Sequence, residues 1–312
     1  MKIVKDKLLI FFILITAILL SCSEQKKQSE INKLDSLTRS QDSLLTLETK
    51  IPKPIVIDYT FIKTKKTNAY KHLVEKYDTA GAKIILALNR VDSKTVRRLD
   101  SLVVPDTITG SANDYSPFPK RIDLLEKVKK IIIISQTHQA FAAYEFGNLI
   151  NWGATSTGKK STKTPNGLFA TNWKSKKTIS TVNEDWILNW CFNLDNFEGV
   201  SMHEYELPGF PASHACARLL AEDAMWIYYW ADQWILTADG ESVIVYGTPV
   251  IIYGDYDFEG IKPWNLLPAN KEKGSVNSDT LKVEIQNHIL TIIKRQDERE
   301  KVVMSVIDST IK

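Results

Sequence analysis

The sequence predicts a mainly β domain with one helix, preceded by a small α+β module. Three observations carry this expectation. Ile131-Ile132-Ile133-Ile134 is an unbroken β-branched run, which reads as a strand. Gln139–Glu145 and Leu149–Ser156 are two further strand candidates, joined by a turn at Phe146-Gly147-Asn148. From Ala221 to Trp234 the apolar residues crowd at helical spacing.

The chain begins with Lys2, Lys5 and Lys7, then an apolar run from Leu8 to Leu20 broken only by Thr16. Thirteen residues are too few for a spanning helix and fit the apolar region of a secretory signal. The run ends in Leu19-Leu20-Ser21-Cys22, which resembles a bacterial lipobox. That resemblance implies cleavage after residue 21 and acylation of Cys22, hence a lipid anchor in the cell envelope facing the periplasm. Residues 22–53 are polar and read as a solvated tether.

Residues 54–123 form the small module. Tyr70–Tyr77 looks helical, as does Ala82–Leu88, followed by an Asn89-Arg90 turn and a strand near Leu99–Pro105. This second half resembles a LysM module, a family that binds the sugar backbone of peptidoglycan. An accessory unit that binds nothing is the alternative. Gly110–Lys120, with two prolines, reads as a linker. The main domain spans 128–253, with closing β-rich runs at Val243–Tyr246 and Pro249–Tyr253. In the extension 254–312, Leu281–Lys294 alternates enough for a hairpin, and Asp297–Ile307 fits helix or strand.

With 44% hydrophobic and 25% charged residues in a chain of 312, the composition is that of an ordinary globular protein. Losing Lys2, Lys5, Lys7 and Asp6 with the leader takes the formal charge from +3 to +1. That balance gives no reason to expect nucleic acid. The five histidines form no cluster of zinc-ligand spacing, so neither metal nor cofactor is implied. Trp173, Trp186, Trp190, Trp226, Trp230 and Trp234 serve as core, or one or two stack on a ligand. Lys174, Lys176 and Lys177 read as a solvated loop.

The chemistry concentrates in Ser213-His214-Ala215-Cys216-Ala217-Arg218, with His203 thirteen residues before the cysteine. A thiol attacks carbonyls as thiolate; an imidazole can take its proton, and a nearby cation favours the anion. Cys216 is the candidate nucleophile and His203 its base. The structural alternatives are a buried cysteine or a Cys191–Cys216 bridge in an oxidising compartment.

These residues resemble the signature of the L,D-transpeptidase catalytic domain of the YkuD type. The signature is a histidine, a gap, then Ser/Thr-His-Gly-Cys, a hydrophobic residue and Arg or Asn. The likeness extends to Ala143–Ile150, Ser156-Thr157-Gly158-Lys159-Lys160, Thr164–Phe169, Glu222-Asp223-Ala224 and Gly247–Val250. It covers about residues 130–252. The departures are Ala215 for the usual glycine, a gap of only nine residues between His203 and Ser213, and Ala221 where asparagine is frequent.

The resemblance implies a β-sandwich-like fold with the cysteine at one end of a cleft. It implies an enzyme of cell wall biogenesis and remodelling that acts on peptidoglycan stem peptides through a cysteinyl thioester and forms 3→3 cross-links. Backbone N–H groups at His214, Ala215 and Cys216 are the oxyanion candidates, and the resemblance implies that His214 helps to shape the site. Arg218 is expected to hold a substrate carboxylate or to pair with Glu222 or Asp223. Ser213 completes the substrate-binding set. The same residues would also serve an L,D-carboxypeptidase or another peptidoglycan hydrolase. A wall-binding protein with weakened catalysis is the third reading.

Overall fold

The computed structural model describes residues 57–180 and 183–311, with side chains in the last helix as far as 305. The expected leader, lipidated Cys22 and tether lie outside the described residues.

The small module is strand β1 (Tyr59–Lys63), helix α1 (Ala69–Leu88) and strand β2 (Ser101–Pro105), which runs antiparallel to β1. An opening strand is therefore present where the sequence offered no sign of one. Helix α1 breaks at Asp78, whose φ of 59° is non-helical, and the Asp78 carboxylate caps the second segment through Gly81 N at 2.9 Å. Leu73, Ala82, Ile85 and Leu86 pack under Leu102 and Val104. Asn89 ties helix to strand: its amide accepts from Val103 N and donates to Val103 O and Ile85 O. Opposite that packing, Ile84, Leu88 and Val103 face the main domain.

The main domain is one nine-stranded mixed sheet. Its strands in chain order are β3 (Ile131–Ser135), β4 (Ala140–Glu145), β5 (Asn148–Ser156), β6 (Gly167–Ala170), β7 (Lys174–Ile179), β8 (Ile187–Asp195), β9 (Val200–Glu204), β10 (Ala217–Leu219) and, after a small β11–β12 ribbon (Ile235–Leu236, Val243–Val245), β13 (Pro249–Tyr253). Across the sheet they run β6-β13-β3-β4-β5-β10-β9-β8-β7. The pairs β13–β3 and β9–β10 are parallel. The sheet curls until its ends meet: Asn172 N donates to Asn193 O, and Asn193 N to Trp173 O, joining the exit of β6 to β8. The two layers of the expected sandwich are thus halves of one sheet.

Strand β3 shows why an isoleucine run is needed. Side chains alternate between the faces of a strand. Ile131 and Ile133 enter a core shared with Tyr144, Trp152 and Trp264, while Ile132 and Ile134 enter one with Phe141, Phe192 and Met202. Both faces are buried, so each isoleucine of the run enters a core. Helix α2 (Ala221–Trp230) closes the second core with Ala224 and Ile227.

Three expectations change. Gly110–Lys120 carries Tyr115 and Phe118 into the first core, and Trp152 Nε1 donates to Ala112 O at 2.6 Å, so this stretch packs rather than links. The Lys174–Lys177 run lies on edge strand β7, where exposed lysines keep an open edge solvated. The expected C-terminal hairpin is a helix. After the single turn α3 (Lys271–Gly274), helix α4 runs over Ser278–Ile311 and buries Leu281, Ile285 and Ile292 in the first core. Gln296 pins it by accepting from Lys129 N and donating to Lys127 O, just before β3.

Candidate active site

The site is built where β9 and β10 run parallel, with Ala217 opposite Met202 and Arg218 opposite His203. Cys216 stands one residue before β10. Its Sγ lies 3.2 Å from Ser201 Oγ and 3.3 Å from the Gly199 carbonyl. Cys216 is partly exposed and Cys191 is buried; both are free thiols, so the Cys191–Cys216 bridge is absent.

His203 is 4% exposed. Its Nδ1 lies 2.9 Å from the Glu204 carbonyl. A carbonyl only accepts, so Nδ1 carries the proton and Nε2 keeps its lone pair. Burial pulls the imidazole down to about 4, the Glu204 contact opposing and Arg218 adding to the fall. The ring is therefore neutral at physiological pH. Among the described residues no hydrogen bond joins it to the Cys216 sulfur.

The loop before Cys216 is strapped by the segment 156–164. Ala212 N and Ser213 N donate to Thr157 O, and Lys159 N donates to Ser213 O. Thr162 Oγ1 bonds Ser213 O at 3.1 Å, and Thr164 Oγ1 bonds Ala215 O at 2.8 Å. Thr164 Oγ1 also accepts from Gly158 N. Gln139 locks Thr157 in turn, through its backbone N and its hydroxyl. A Cβ at Gly158 would sit 2.1 Å from Thr162 O, so only glycine lets the strap close. Ser213, 2% exposed, spends its hydroxyl on the Cys216 carbonyl and so shapes the loop. Ala215 takes φ +79°, the left-handed conformation that glycine usually supplies.

His214 has the opposite tautomer. Lys159 Nζ, a donor only, lies 2.9 Å from Nε2. In the neutral ring the proton therefore sits on Nδ1, which is buried and has no hydrogen-bond partner among the described residues. Partial burial, then Lys159 and Arg218, holds the ring below its usual range. Trp186 lies over His214, with ring centroids 5.1 Å apart, and 6.4 Å from Tyr205. Of the six tryptophans singled out in the sequence, this one borders the site. Trp226 and Trp230 stack on each other, and Trp190 packs on Tyr228 and Tyr229.

Arg218 does not pair with Glu222 or Asp223. Glu222 pairs with Lys83 of α1, and the Asp223 carboxylate lies against Gly153. The Arg218 guanidinium lies 4.4 Å over the Tyr205 ring, with no salt bridge among the described residues. Its planar donors remain free for a ligand carboxylate. Ser201, Trp186 and Tyr205 carry no motif. The offset of Ser201, two residues before His203 on one strand and hence on one face, is the signal that could have found it.

Residues 129–252 match the family model of the L,D-transpeptidase catalytic domain, YkuD. No curated protein sequence matches the chain. Similar solved structures include an L,D-transpeptidase from Mycobacterium smegmatis, at 20% identity and a TM-score of 0.32, covering 40% of this chain and 59% of that one. An L,D-transpeptidase from Stackebrandtia nassauensis is 19% identical, with a TM-score of 0.36 and coverage of 60% and 77%. The catalytic domain of the E. faecium enzyme is 20% identical, with a TM-score of 0.31 and coverage of 40% and 96%. The chain thus spans under two thirds of the mycobacterial protein. Scores this low carry no weight for activity. The family match and the ordered motifs agree on one segment: residues 129–252 are similar to the L,D-transpeptidase catalytic domain of the YkuD family.

Proposed function

We propose that the chain is a cysteine acyltransferase that forms 3→3 cross-links between peptidoglycan stem peptides. The observation that carries this is the strapped loop: segment 156–164 holds Ser213–Cys216 so that a free thiol stands beside a strand bearing a neutral, tautomer-fixed imidazole.

His203 Nε2 takes the Cys216 proton. The thiolate attacks the carbonyl carbon that links the third stem residue to the terminal D-alanine. The C–N bond breaks, the leaving amine takes a proton from His203, and a thioester remains. The side-chain amine of a second stem then attacks the thioester, loses a proton to His203 and releases the thiol. Acid–base help of this kind contributes typically ~10²–10⁴ in rate. A ring pulled down to about 4 is a weak base, so the proton moves only as the imidazolium–thiolate pair forms and stabilises both charges.

The oxyanion meets the backbone N–H groups of the loop at His214, Ala215 and Cys216. Each donor is worth on the order of 10²–10³ in rate. Arg218 holds a stem carboxylate. A lipid on Cys22 would anchor the enzyme to an envelope membrane facing the wall.

The test is a carbapenem. Mass spectrometry should find an adduct on the wild type and none on Cys216→Ser. No adduct on the wild type would overturn the reading in favour of a wall-binding protein. Incubation with tetrapeptide muropeptides then separates transfer from hydrolysis: dimers mean a transpeptidase, tripeptides a carboxypeptidase.

A further inference from the structure

The Cys216 sulfur has a single side-chain hydrogen-bond partner among the described residues, and it is not the histidine. It is Ser201, on the neighbouring strand β9, at 3.2 Å. Ser201 is 5% exposed, so little water competes for its hydroxyl. The next strand, β8, brings a second thiol to the same hydroxyl. Cys191 is 1% exposed; burial pushes it up to about 12, the Ser201 hydroxyl opposing the rise and Cys216 adding to it. The resting Cys216 S–H in turn has the Gly199 carbonyl as its acceptor.

We propose that Ser201 is a further catalytic residue of this site, a hydroxyl that donates to the Cys216 sulfur and holds it as an anion. This rests on Cys216 being the nucleophile named above. Ser201 transfers no proton: the thiol proton goes to His203, and the hydroxyl keeps its own while its hydrogen bond shortens onto the developing charge. Hydrogen bonds to an anion are about twice as strong as neutral ones, so this contact favours the thiolate over the thiol.

The experiment alkylates the full chain with iodoacetamide over a range of pH and reads Cys216 and Cys191 separately by peptide mapping. For Ser201→Ala, alkylation of Cys216 at pH 7 should fall about tenfold, with the profile displaced to higher pH by about one unit. Ser201→Thr, which keeps the hydroxyl, should retain the wild-type profile. If Ser201→Ala does not fold, Ser201→Gly gives the same readout. Unchanged Cys216 profiles in the variants that lack the hydroxyl would overturn the proposal, as would equal loss in Ser201→Thr. Wild-type carbapenem acylation reports on the transpeptidase reading alone, so a failure of the Ser201 proposal is told apart from a failure of that reading.

Discussion

Thr164 donates its hydroxyl to the carbonyl of Ala215, and Ala215 holds φ at +79°. One contact therefore fixes a strained backbone beside Cys216. A left-handed residue other than glycine costs roughly 1–2 kcal/mol. Ala215→Gly removes that strain and adds some entropy to the unfolded chain, so it should stabilise by up to ~1 kcal/mol with carbapenem acylation retained. Thr164→Val loses the bonds to Gly158 N and Ala215 O at a site 3% exposed. It should destabilise by about 1–3 kcal/mol and slow acylation. Thermal unfolding and acylation rates check both; a Thr164→Val enzyme with wild-type acylation would show that the strap is dispensable.

Arg90 is a buried cation with no carboxylate partner among the described residues. It is 1% exposed, and Nε donates to the His138 carbonyl at 2.8 Å and Nη1 to Leu88 O at 3.1 Å. Its guanidinium lies 5.1 Å from the Trp264 ring centre and 5.8 Å from that of Trp152. It thus joins the end of α1 to the turn between β3 and β4. Arg90→Ala should cost about 3–5 kcal/mol, since it leaves a cavity and unpaired carbonyls. Arg90→Lys should rescue little, because an ammonium lacks the planar fork. Full rescue by lysine in thermal melts would contradict this account.

The pH dependence of stability has opposing contributors. His203 and His138 are both pulled down to about 4, chiefly by burial. The unfolded chain gains their protons below about 6.5 while the folded one does not, so stability falls as pH drops from 6.5 to 4. Asp223 is pushed up to about 8, first by burial and then by Glu222, with Lys83 opposing. Its contribution is present in full below about 3.8 and is lost as pH rises through 8. Asp223→Asn removes that second trend. The difference in Tm, variant minus wild type, should therefore grow from pH 4 to pH 8. A difference that stays flat would show that Asp223 keeps an ordinary carboxylate range.

What can be read from a sequence is contiguous chemistry. Ser213–Cys216 and Ser156–Lys159 are each a few adjacent residues whose types announce their role. Ile131–Ile134 is similarly self-evident as a strand. The contacts that complete the site are not contiguous. Trp186 reaches His214 across the sheet, and Ser201 meets Cys216 only because β9 and β10 pair in parallel. A lone tryptophan has no pattern to find, and Ser201 offers only its two-residue offset from His203. Helix α4 was obscured differently: Leu281, Ile285, Ile289 and Ile292 keep a spacing of four, four and three, but Val283 and Leu290 lie on its exposed side and imitate alternation.

That same helix yields the last prediction. Ile285 is fully buried in the core that also takes Ile131, Ile133 and Trp264, while Gln296 bonds the backbone just before β3. Helix α4 is thus part of the wall behind the catalytic sheet. Ile285→Ala should cost about 2–5 kcal/mol, as large-to-small changes in a core do. Gln296→Ala removes a donor and an acceptor at the surface and should cost about 1 kcal/mol. Because the helix shares the core of the sheet, near-ultraviolet and far-ultraviolet circular dichroism should lose signal in one transition, shifted down in Ile285→Ala. A melt in which Ile285→Ala splits off an early helical transition and leaves the sheet at its wild-type Tm would mean that α4 folds as an independent appendage.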